Sequence, residues 1–298
     1  MAKVSTMTKI KRMQIGRKVF LAILCALVLY PLWMLISVSL SSEADIAKYG
    51  YLLIPKKIDL AAYKYVFSNP TAIIDAYKVT FVFSVASMAL SVLLQSMIAY
   101  PLSKKTFKAK RGLSFYLYFT MLFGGGMVPM YILLTRYLHL DDTIWIYILP
   151  GLVSPWNVFM MRTFFSQIPY EISESVLVDG GNEYIIYARF ILPLSKPVLA
   201  TIALLTFLAK WNSWSESMLY INNPKLYSLQ FLLQEIMQKV ELLQNQNVGM
   251  NVQLNVSDIP SETARMAMAM VVAGPALIVF PFFQKYFVKG LTVGSVKG

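Results

Sequence analysis

Charged side chains are scarce in this sequence, and their scarcity excludes most soluble proteins of its size. Only 14% of the 298 residues are Asp, Glu, Lys or Arg, whereas 57% are hydrophobic. The apolar residues come in separate blocks of about 20 residues, the length that a helix needs to cross roughly 30 Å of hydrocarbon. A soluble core would instead contain shorter apolar runs broken by polar faces. We therefore expect an all-α, polytopic membrane protein.

Cysteine and histidine each occur once, which excludes two kinds of site. Cys25 has no second thiol with which to form an internal disulfide, and a site of several histidines is impossible because His139 stands alone. The sequence also lacks the Gly-x-x-x-x-Gly-Lys-Ser/Thr loop that binds nucleotide phosphates. We therefore expect no catalytic centre, bound cofactor or metal, and no ATP hydrolysis by this chain.

Six membrane spans are predicted. The first block is too long for a cleaved secretory signal, so we expect it to be retained as an anchor. The fourth is interrupted by Pro150 and Pro155, and such breaks persist only where protein or a polar cavity satisfies the freed backbone groups. The spans run roughly Val19–Leu40, Thr80–Leu102, Leu113–Tyr137, Thr143–Phe165, Val198–Tyr220 and Ala264–Phe287.

The net charge of +12 would suggest nucleic acid in a soluble chain. Here the basic residues flank apolar blocks, which indicates membrane topology and contact with a lipid bilayer rather than with nucleic acid. They concentrate in the N-terminal tail, the 103–112 connection and the C-terminal end. These three segments share one side in a six-span topology, so we place both termini in the cytoplasm.

The spans divide the chain into five predicted regions. A cytoplasmic tail (1–18), a first span (19–40) and an external segment (41–79) precede a core of five spans (80–287) and a second cytoplasmic tail (288–298). The core contains an external loop (221–263) and a cytoplasmic loop (166–197). The cytoplasmic loop is longer than a bare connection requires, so we expect it to have structure of its own.

A short helix is predicted at the start of this cytoplasmic loop. Pro169 suits its first turn and Gly180 suits its C-terminal stop. Glu171 and Glu174 share one face, opposite the apolar side that carries Val176. A helix lying among lipid headgroups is usually rich in Lys, so the two acidic residues favour a protein partner. A second short helix is predicted over 182–190, ended by Leu192-Pro193.

The spacing in this loop resembles the signature of ABC-importer permeases: Glu-Ala-Ala, three residues, Gly, nine residues, Ile, one residue, Leu-Pro. Ser175 and Val176 replace the two alanines, and Gly181 replaces a further small alanine. The matching run here is Glu174-Ser175-Val176, then Asp179-Gly180-Gly181, Phe190 and Leu192-Pro193.

Shorter segments along nearly the whole chain are similar to carbohydrate permeases of the type I importer fold. The likeness is to the smaller permease of the maltose importer and, more closely, to permeases of the polysaccharide and lipoprotein type. The segments are Phe123–Pro129, Trp156-Asn157, Met161–Phe164, Trp211-Asn212 and the 284–298 ending.

The resemblance implies the inner membrane of a bacterial cell and a set of partners. Such a permease forms the path with a second, homologous permease, and an extracellular solute-binding protein delivers an oligosaccharide. An ABC ATPase dimer, which holds ATP and Mg, receives the loop helix in a groove. The resemblance assigns this coupling to Glu171, Glu174, Ser175, Val176, Asp179, Gly180, Gly181, Leu192 and Pro193.

The C-terminal tail is either a frayed stub or a functional segment. By the resemblance it reaches between the ATPase subunits, and residues 290–298 carry only one charged side chain, Lys297, which is unusual for a solvated end. The residues concerned are Gly294, Ser295, Val296, Lys297 and Gly298.

Aromatic and amide side chains near the fourth and fifth spans are candidates for a sugar path, because rings contact sugar C–H groups and amides bind hydroxyls. Trp214 lies four residues after Lys210, a spacing that would let its ring stack on the ammonium. Alternatively, the tryptophans anchor the spans at the outer interface. The candidates are Trp156, Asn157, Lys210, Trp211, Asn212 and Trp214.

Two other functions stay open. The same class of transporter could carry a peptide, an osmolyte or a lipid-like glycan. A polytopic membrane enzyme would need catalytic groups converging near one membrane face. His139 is predicted to be external, and the acidic residues of the cytoplasmic loop are accounted for by docking, so the sequence disfavours an enzyme.

Overall fold

The computed structural model describes residues 2–249 and 262–293, and all regular structure within those ranges is helical. The tail residues 294–298 fall outside them. The prediction of an all-α membrane protein is confirmed. The chain divides into two compact units, Met1–Asn69 with Glu235–Ala273 and Pro70–Gln234 with Gly274–Gly298.

The first unit is built around a long N-terminal helix. Helix α1 (Ala2–Ser39) is followed by α2 (Glu43–Tyr49) and α3 (Ala61–Val66). The most apolar stretch of α1 has none of its residues buried within the chain. A helix that is apolar all round and unburied is suited to lipid, which agrees with the predicted first span.

The C-terminal part of this unit contains most of α14 (Leu229–Gly249) and the beginning of α15 (Glu262–Val293). The carboxylate of Glu43 accepts hydrogen bonds from the backbone N–H groups of Glu262 (3.0 Å) and Thr263 (3.1 Å). A carboxylate at this position satisfies donors that the first turn of a helix leaves open and complements the helix dipole. Glu43 therefore fixes the start of α15.

The second unit is organised around α4 (Pro70–Ser103), which packs mainly against α8 and α12. Nine helices follow α4 between residues 104 and 228, all of which the structure describes: α5 (Lys110–Leu122), α6 (Met127–Ile132), α7 (Trp145–Ile148), α8 (Pro155–Phe165), α9 (Tyr170–Val178), α10 (Glu183–Ile185), α11 (Leu192–Leu194), α12 (Lys196–Trp211) and α13 (Ser215–Tyr220). The same part of the chain has π-helical turns at Leu133–Tyr137 and Ile186–Ile191 and a 3-10 turn at Pro224–Leu226.

Helix α4 carries a buried polar stripe that the sequence analysis missed. Its members recur every three or four residues and so lie on one face. Small hydroxyl side chains allow neighbouring helices to approach closely within a membrane. The signal was present in the sequence as the spacing of Thr80, Ser84, Ser87, Ser91 and Gln95, each at most 1% exposed.

Three helical stretches in the described part of the chain are long and apolar enough to cross a membrane: Gln14–Ser39, Pro70–Ser103 and Glu262–Val279. Two bent pairs raise the number to at most five, Lys110–Leu122 with Met127–Tyr137 (110°) and Glu183–Leu194 with Lys196–Trp211 (77°). The count of six spans therefore stays a prediction.

Three predicted spans are interrupted rather than straight. The third breaks at Gly126, whose φ of +86° leaves the helical region, and the fourth breaks between α7 and α8, where Gly151 has a φ of +77°. The fifth ends at Trp211, and the chain begins a new helix at Ser215. The break in the fourth span agrees with the interruption predicted from Pro150 and Pro155. Average hydropathy does not reveal the breaks in the third and fifth spans.

The connections contain more helix than predicted. The external loop 221–263 contains the whole of α14, and α4 begins at Pro70, ten residues before the predicted second span. In the cytoplasmic loop, the second helix continues to Leu194 instead of ending at Leu192-Pro193. Proline is tolerated there because Pro193 lies in the first turn of α11, where its missing N–H is not needed.

Candidate functional site

Helix α9 lies where the sequence predicts the docking helix and turns its acidic side outward. Its bounds, Tyr170–Val178, confirm a helix between Pro169 and Gly180. Glu171 and Glu174 are exposed, whereas Val176 is only 9% exposed. The helix therefore has one face against the protein and one face open.

The open face of α9 is apolar as well as acidic. Tyr170 is 57% exposed, Leu177 41% and Val178 81%. Exposed apolar groups beside charges are typical of protein interaction sites. The hydroxyl of Ser175, the most polar departure from the permease signature, donates to the carbonyl of Ile172 (3.0 Å) and so is satisfied within the helix.

Two glycines end α9 in a Schellman motif. Gly180 has a φ of +78°, a left-handed conformation that glycine adopts without a steric penalty. Its N–H donates to the carbonyl of Leu177 (3.1 Å), and the N–H of Gly181 donates to that of Val176 (2.8 Å). These bonds satisfy carbonyls that the last turn would otherwise leave open. The predicted helix stop at Gly180 is confirmed.

Gly181 is required for a second reason. A Cβ atom there would lie 2.5 Å from Cγ1 of Val176 and 2.8 Å from its carbonyl oxygen. Val176 and Gly181 both depart from alanine in the permease signature, and the structure links the two departures. The larger side chain at 176 occupies the space that a side chain at 181 would need.

An apolar cluster joins this loop to the membrane helices. Val176 of α9, together with Ile186 and Ile191, belongs to one buried cluster with residues of α4, α5, α8 and α12. Close-packed side chains are hard to compress, so a displacement of α9 is passed to its neighbours. The other members are Ala99, Leu102, Leu117, Val158, Met161, Phe165, Val198 and Ile202.

A set of polar contacts, which we call the loop latch, ties the loop to the end of α4. It consists of Ser96, Tyr100 and Lys104 on one side and Glu183 and Tyr187 on the other. The Tyr100 hydroxyl donates to Glu183 Oε2 (2.6 Å), which also receives the Lys104 ammonium. The Ser96 and Tyr187 hydroxyls share a hydrogen bond (2.8 Å). Ser96 and Tyr100 lie one turn apart on one face of α4, and Lys104 follows directly after the end of that helix at Ser103.

The candidate path residues do not share one exposed surface. Trp211 is 2% exposed, and its ring packs against Phe207 (5.7 Å between centroids) and Tyr77 (6.3 Å). Trp156 is 62% exposed and Trp214 40%. Trp211 is therefore a packing residue in this chain, whereas the other two tryptophans are open to a ligand, a partner or lipid.

The amide candidates are less exposed or already engaged. Asn157 is half-buried at the start of α8. Asn212 is exposed, but its amide donates to the carbonyl of Leu208 (2.8 Å) and its oxygen accepts from Gln230 (3.1 Å).

The predicted stacking of Lys210 on Trp214 is wrong. Lys210 Nζ donates instead to the carbonyl oxygens of Tyr147 (2.6 Å) and Pro150 (3.1 Å). Helix α12 ends at Trp211, so residues 210 and 214 do not lie one turn apart on a continuous helix.

A second polar link lies outside the predicted spans, before α7. Asp142 Oδ1 accepts from the backbone N–H groups of Asn223 (2.9 Å) and Asn222 (2.6 Å). These two bonds hold the pKa of its carboxyl below the usual value, because they stabilise the ionised form. Asp142 thereby fastens the chain before α7 to the chain after α13.

No protein-family model matches the chain. It is 36% identical to the protein LplC of Bacillus subtilis, over the full length of both chains. It is 35% identical to the polygalacturonan/rhamnogalacturonan transport system permease protein YtcP of the same organism, over 95% of this chain and 96% of that one. Among solved structures, it is similar to a chain of a bacterial ABC transporter involved in the import of the acidic polysaccharide alginate. That likeness has a TM-score of 0.77 and 28% identity, and it covers 93% of this chain and 97% of that chain.

Replacing Gly181 with Ala is expected to destabilise the loop, because the new Cβ overlaps Val176. Overpacking of this kind typically costs about 1–3 kcal/mol, so the midpoint of thermal unfolding in detergent should fall. The double variant Val176→Ala/Gly181→Ala should recover only part of the loss, since the contact with the carbonyl of residue 176 remains. Gly112→Ala is the control, because a Cβ at Gly112 meets nothing within 4 Å. A double variant no more stable than Gly181→Ala would contradict the linkage.

Replacing Glu183 with Gln is expected to loosen the loop latch. The ion pair with Lys104 is partly exposed, so its loss is worth at most about 1 kcal/mol, which corresponds to roughly fivefold faster local opening. Hydrogen–deuterium exchange over 183–191 measures that opening. Glu171→Gln, on the outward face of α9, should leave exchange in this stretch unchanged. Equal exchange in both variants would show that the latch does not hold the loop.

Proposed function

The chain belongs to the permease family of bacterial ABC sugar importers, and on that premise we propose that it passes the movement of an ATPase dimer to its membrane helices through α9. The observation that carries this proposal is the two-sided burial of α9. Its acidic face, with Glu171 and Glu174, is open, while Val176 is packed among the membrane helices. A helix that merely rested on the surface would not need to be part of the core that those helices share.

The partner on the open face is an ABC ATPase. ATP and Mg bind to that separate chain and not to the permease. Exposed apolar side chains at Leu177 and Val178 would supply the buried centre of the contact, and the carboxylates would supply its charged edge. The C-terminal residues 294–298 are proposed to add a second contact with the ATPase. Both assignments require the two termini to be cytoplasmic, as the basic residues predict.

The path itself is proposed to form between this chain and a second, homologous permease, with an extracellular binding protein supplying the solute. The exposed rings of Trp156 and Trp214 and the amide of Asn212 are the candidates that a sugar could reach. Asn157 is a half-buried further candidate.

We propose an oligosaccharide as the solute. YtcP is named for polygalacturonan and rhamnogalacturonan, and the similar solved structure belongs to a transporter of alginate. All three named cargoes are polysaccharides, which supports a saccharide over a peptide or an osmolyte.

Charge reversal at Glu174 tests the docking role. Glu174→Lys should insert normally and still pair with the second permease, because residue 174 is exposed and outside the apolar cluster. The amount of ATPase that co-purifies should fall by about tenfold or more, because the new lysine would repel a basic ATPase surface that pairs with Glu174. Uptake of a labelled oligosaccharide and the stimulation of ATP hydrolysis by the binding protein should fall with it.

The matched control is Asp75→Lys, another reversal of an exposed carboxylate, which the predicted orientation puts on the external side. It should leave the yield of co-purified ATPase unchanged. Full complex yield and full uptake in correctly inserted Glu174→Lys would rule out docking through this face.

A further inference from the structure

Lys210 carries an ammonium group into the outer part of the fifth span, where a charge is unfavourable unless protein or water surrounds it. It is the penultimate residue of α12, about 21 Å along the helix from Lys196. Its side chain is only 13% exposed. A charged group in this position needs hydrogen-bond partners that stabilise it.

The break in the fourth span supplies acceptors for the ammonium group. Helix α7 ends at Ile148, and Gly151 turns out of the helical region with a φ of +77°. The carbonyls before the break therefore lose the N–H groups that a continuing helix would offer them. Inside a membrane, water does not replace those donors unless a cavity admits it.

Side chains from two other helices satisfy these carbonyls. Lys210 Nζ of α12 donates to Tyr147 O (2.6 Å) and to Pro150 O (3.1 Å). Gln95 Nε2 of α4 donates to Leu152 O (2.7 Å). Three carbonyls within six residues thus each receive a donor from outside their own segment.

A carboxylate of opposite charge lies near the ammonium. Glu216 Oε1 lies 3.9 Å from Lys210 Nζ, and its other oxygen is held by the hydroxyls of Ser213 and Ser215. The contact between Lys210 Nζ and Glu216 Oε1 is an ion pair that is too long for a hydrogen bond. The ammonium therefore donates to two carbonyl oxygens, and a nearby carboxylate balances its charge.

The residue that Lys210 holds is itself fixed on its other side. The Tyr147 hydroxyl contacts Ser217 Oγ (2.6 Å) and donates to the carbonyl of Leu226 (2.8 Å). Ser217 in turn donates to Ser228 (2.9 Å). The breaks in the fourth and fifth spans are therefore joined into one polar network, with Lys210 at its inner end.

We propose that Lys210 is a positioning residue for transport: its ammonium group holds the broken fourth span in place through the carbonyls of Tyr147 and Pro150. It acts on the shape of the path rather than on the solute. This replaces its earlier candidacy as a sugar contact, and it rests on the proposed function only for the transport readout described below.

The test uses a thiol reporter in the break. Cys25→Ser removes the single native thiol, and Ser154→Cys adds one between α7 and α8. In this background, Lys210→Met keeps the length of the side chain but removes every donor. Labelling of Cys at 154 by a water-soluble maleimide should become at least about tenfold faster, because tenfold is the factor for losing one hydrogen bond from a charged donor and this variant loses two. Lys210→Arg, which can donate to both carbonyls, should label within about twofold of the parent.

Lys196→Met is the matched control, because Lys196 lies at the other end of α12 and is exposed. It should label at the parental rate. If Lys210→Met does not fold, Lys210→Gln decides by the same rate, since its shorter amide cannot reach both carbonyls. A parental labelling rate in a folded variant without the ammonium overturns the proposal.

Uptake kinetics in the intact transporter separate positioning from solute binding. Positioning predicts that Lys210→Met lowers the maximal rate of oligosaccharide uptake, with an unchanged concentration for half-maximal rate and with recovery in Lys210→Arg. A raised half-maximal concentration at full maximal rate would show that Lys210 binds the solute and overturn the proposal. If no saccharide is transported by the parent, the proposed function fails, and the labelling rates still decide the role of Lys210.

Discussion

A carbonyl group inside a membrane must have a hydrogen-bond donor, and the second unit of this protein is arranged around that requirement. A continuous helix meets it from within. A broken span cannot, so the donors must come from neighbouring helices. Here Lys210 and Gln95 supply them to the segment between α7 and α8, and the helices that carry these two residues are the ones that must pack against the break. The charge of Lys210 is tolerated because the same contacts that satisfy the carbonyls also surround the ammonium.

The structure of the loop that carries α9 depends on a different constraint, which is close packing. Val176 lies in the apolar cluster below the break, and its side chain fills the space that makes glycine necessary at 181. Departures from the permease signature are therefore not independent substitutions. Ser175 does not disturb the fold because its hydroxyl donates to a carbonyl within α9. Val176 and Gly181 depend on each other, because the side chain at 176 occupies the space next to 181.

Local features of this fold could be predicted from the sequence, and features that depend on distant partners could not. The bounds of α9 and its stop at Gly180 follow from residues within about one helix length, so the pattern alone indicates them. The partners of Lys210 are 60 and 63 residues away, and no spacing rule reaches that far. The loop latch joins positions about 80 to 90 residues apart for the same reason. Pro150 and Pro155 indicate the break in the fourth span, whereas the break in the third span forms at a glycine among apolar residues, where average hydropathy gives no signal.

One helix connects these two constraints. Gln95 and Ser96 are consecutive residues of α4, only about 1.5 Å apart along its axis. Gln95 bonds to Leu152 in the break, and Ser96 bonds to Tyr187 in the cytoplasmic loop. The same turn of α4 is therefore attached to the segment that interrupts the fourth span and to the loop that carries α9. A displacement of the loop relative to α4 must either break the contact at Ser96 or move the turn that supports the break. Ser96 would keep its bond to the carbonyl of Leu93, but the buried hydroxyl of Tyr187 would lose the partner that Ser96 provides. Helix α4 is therefore the element that contacts both the interrupted fourth span and the loop that carries α9.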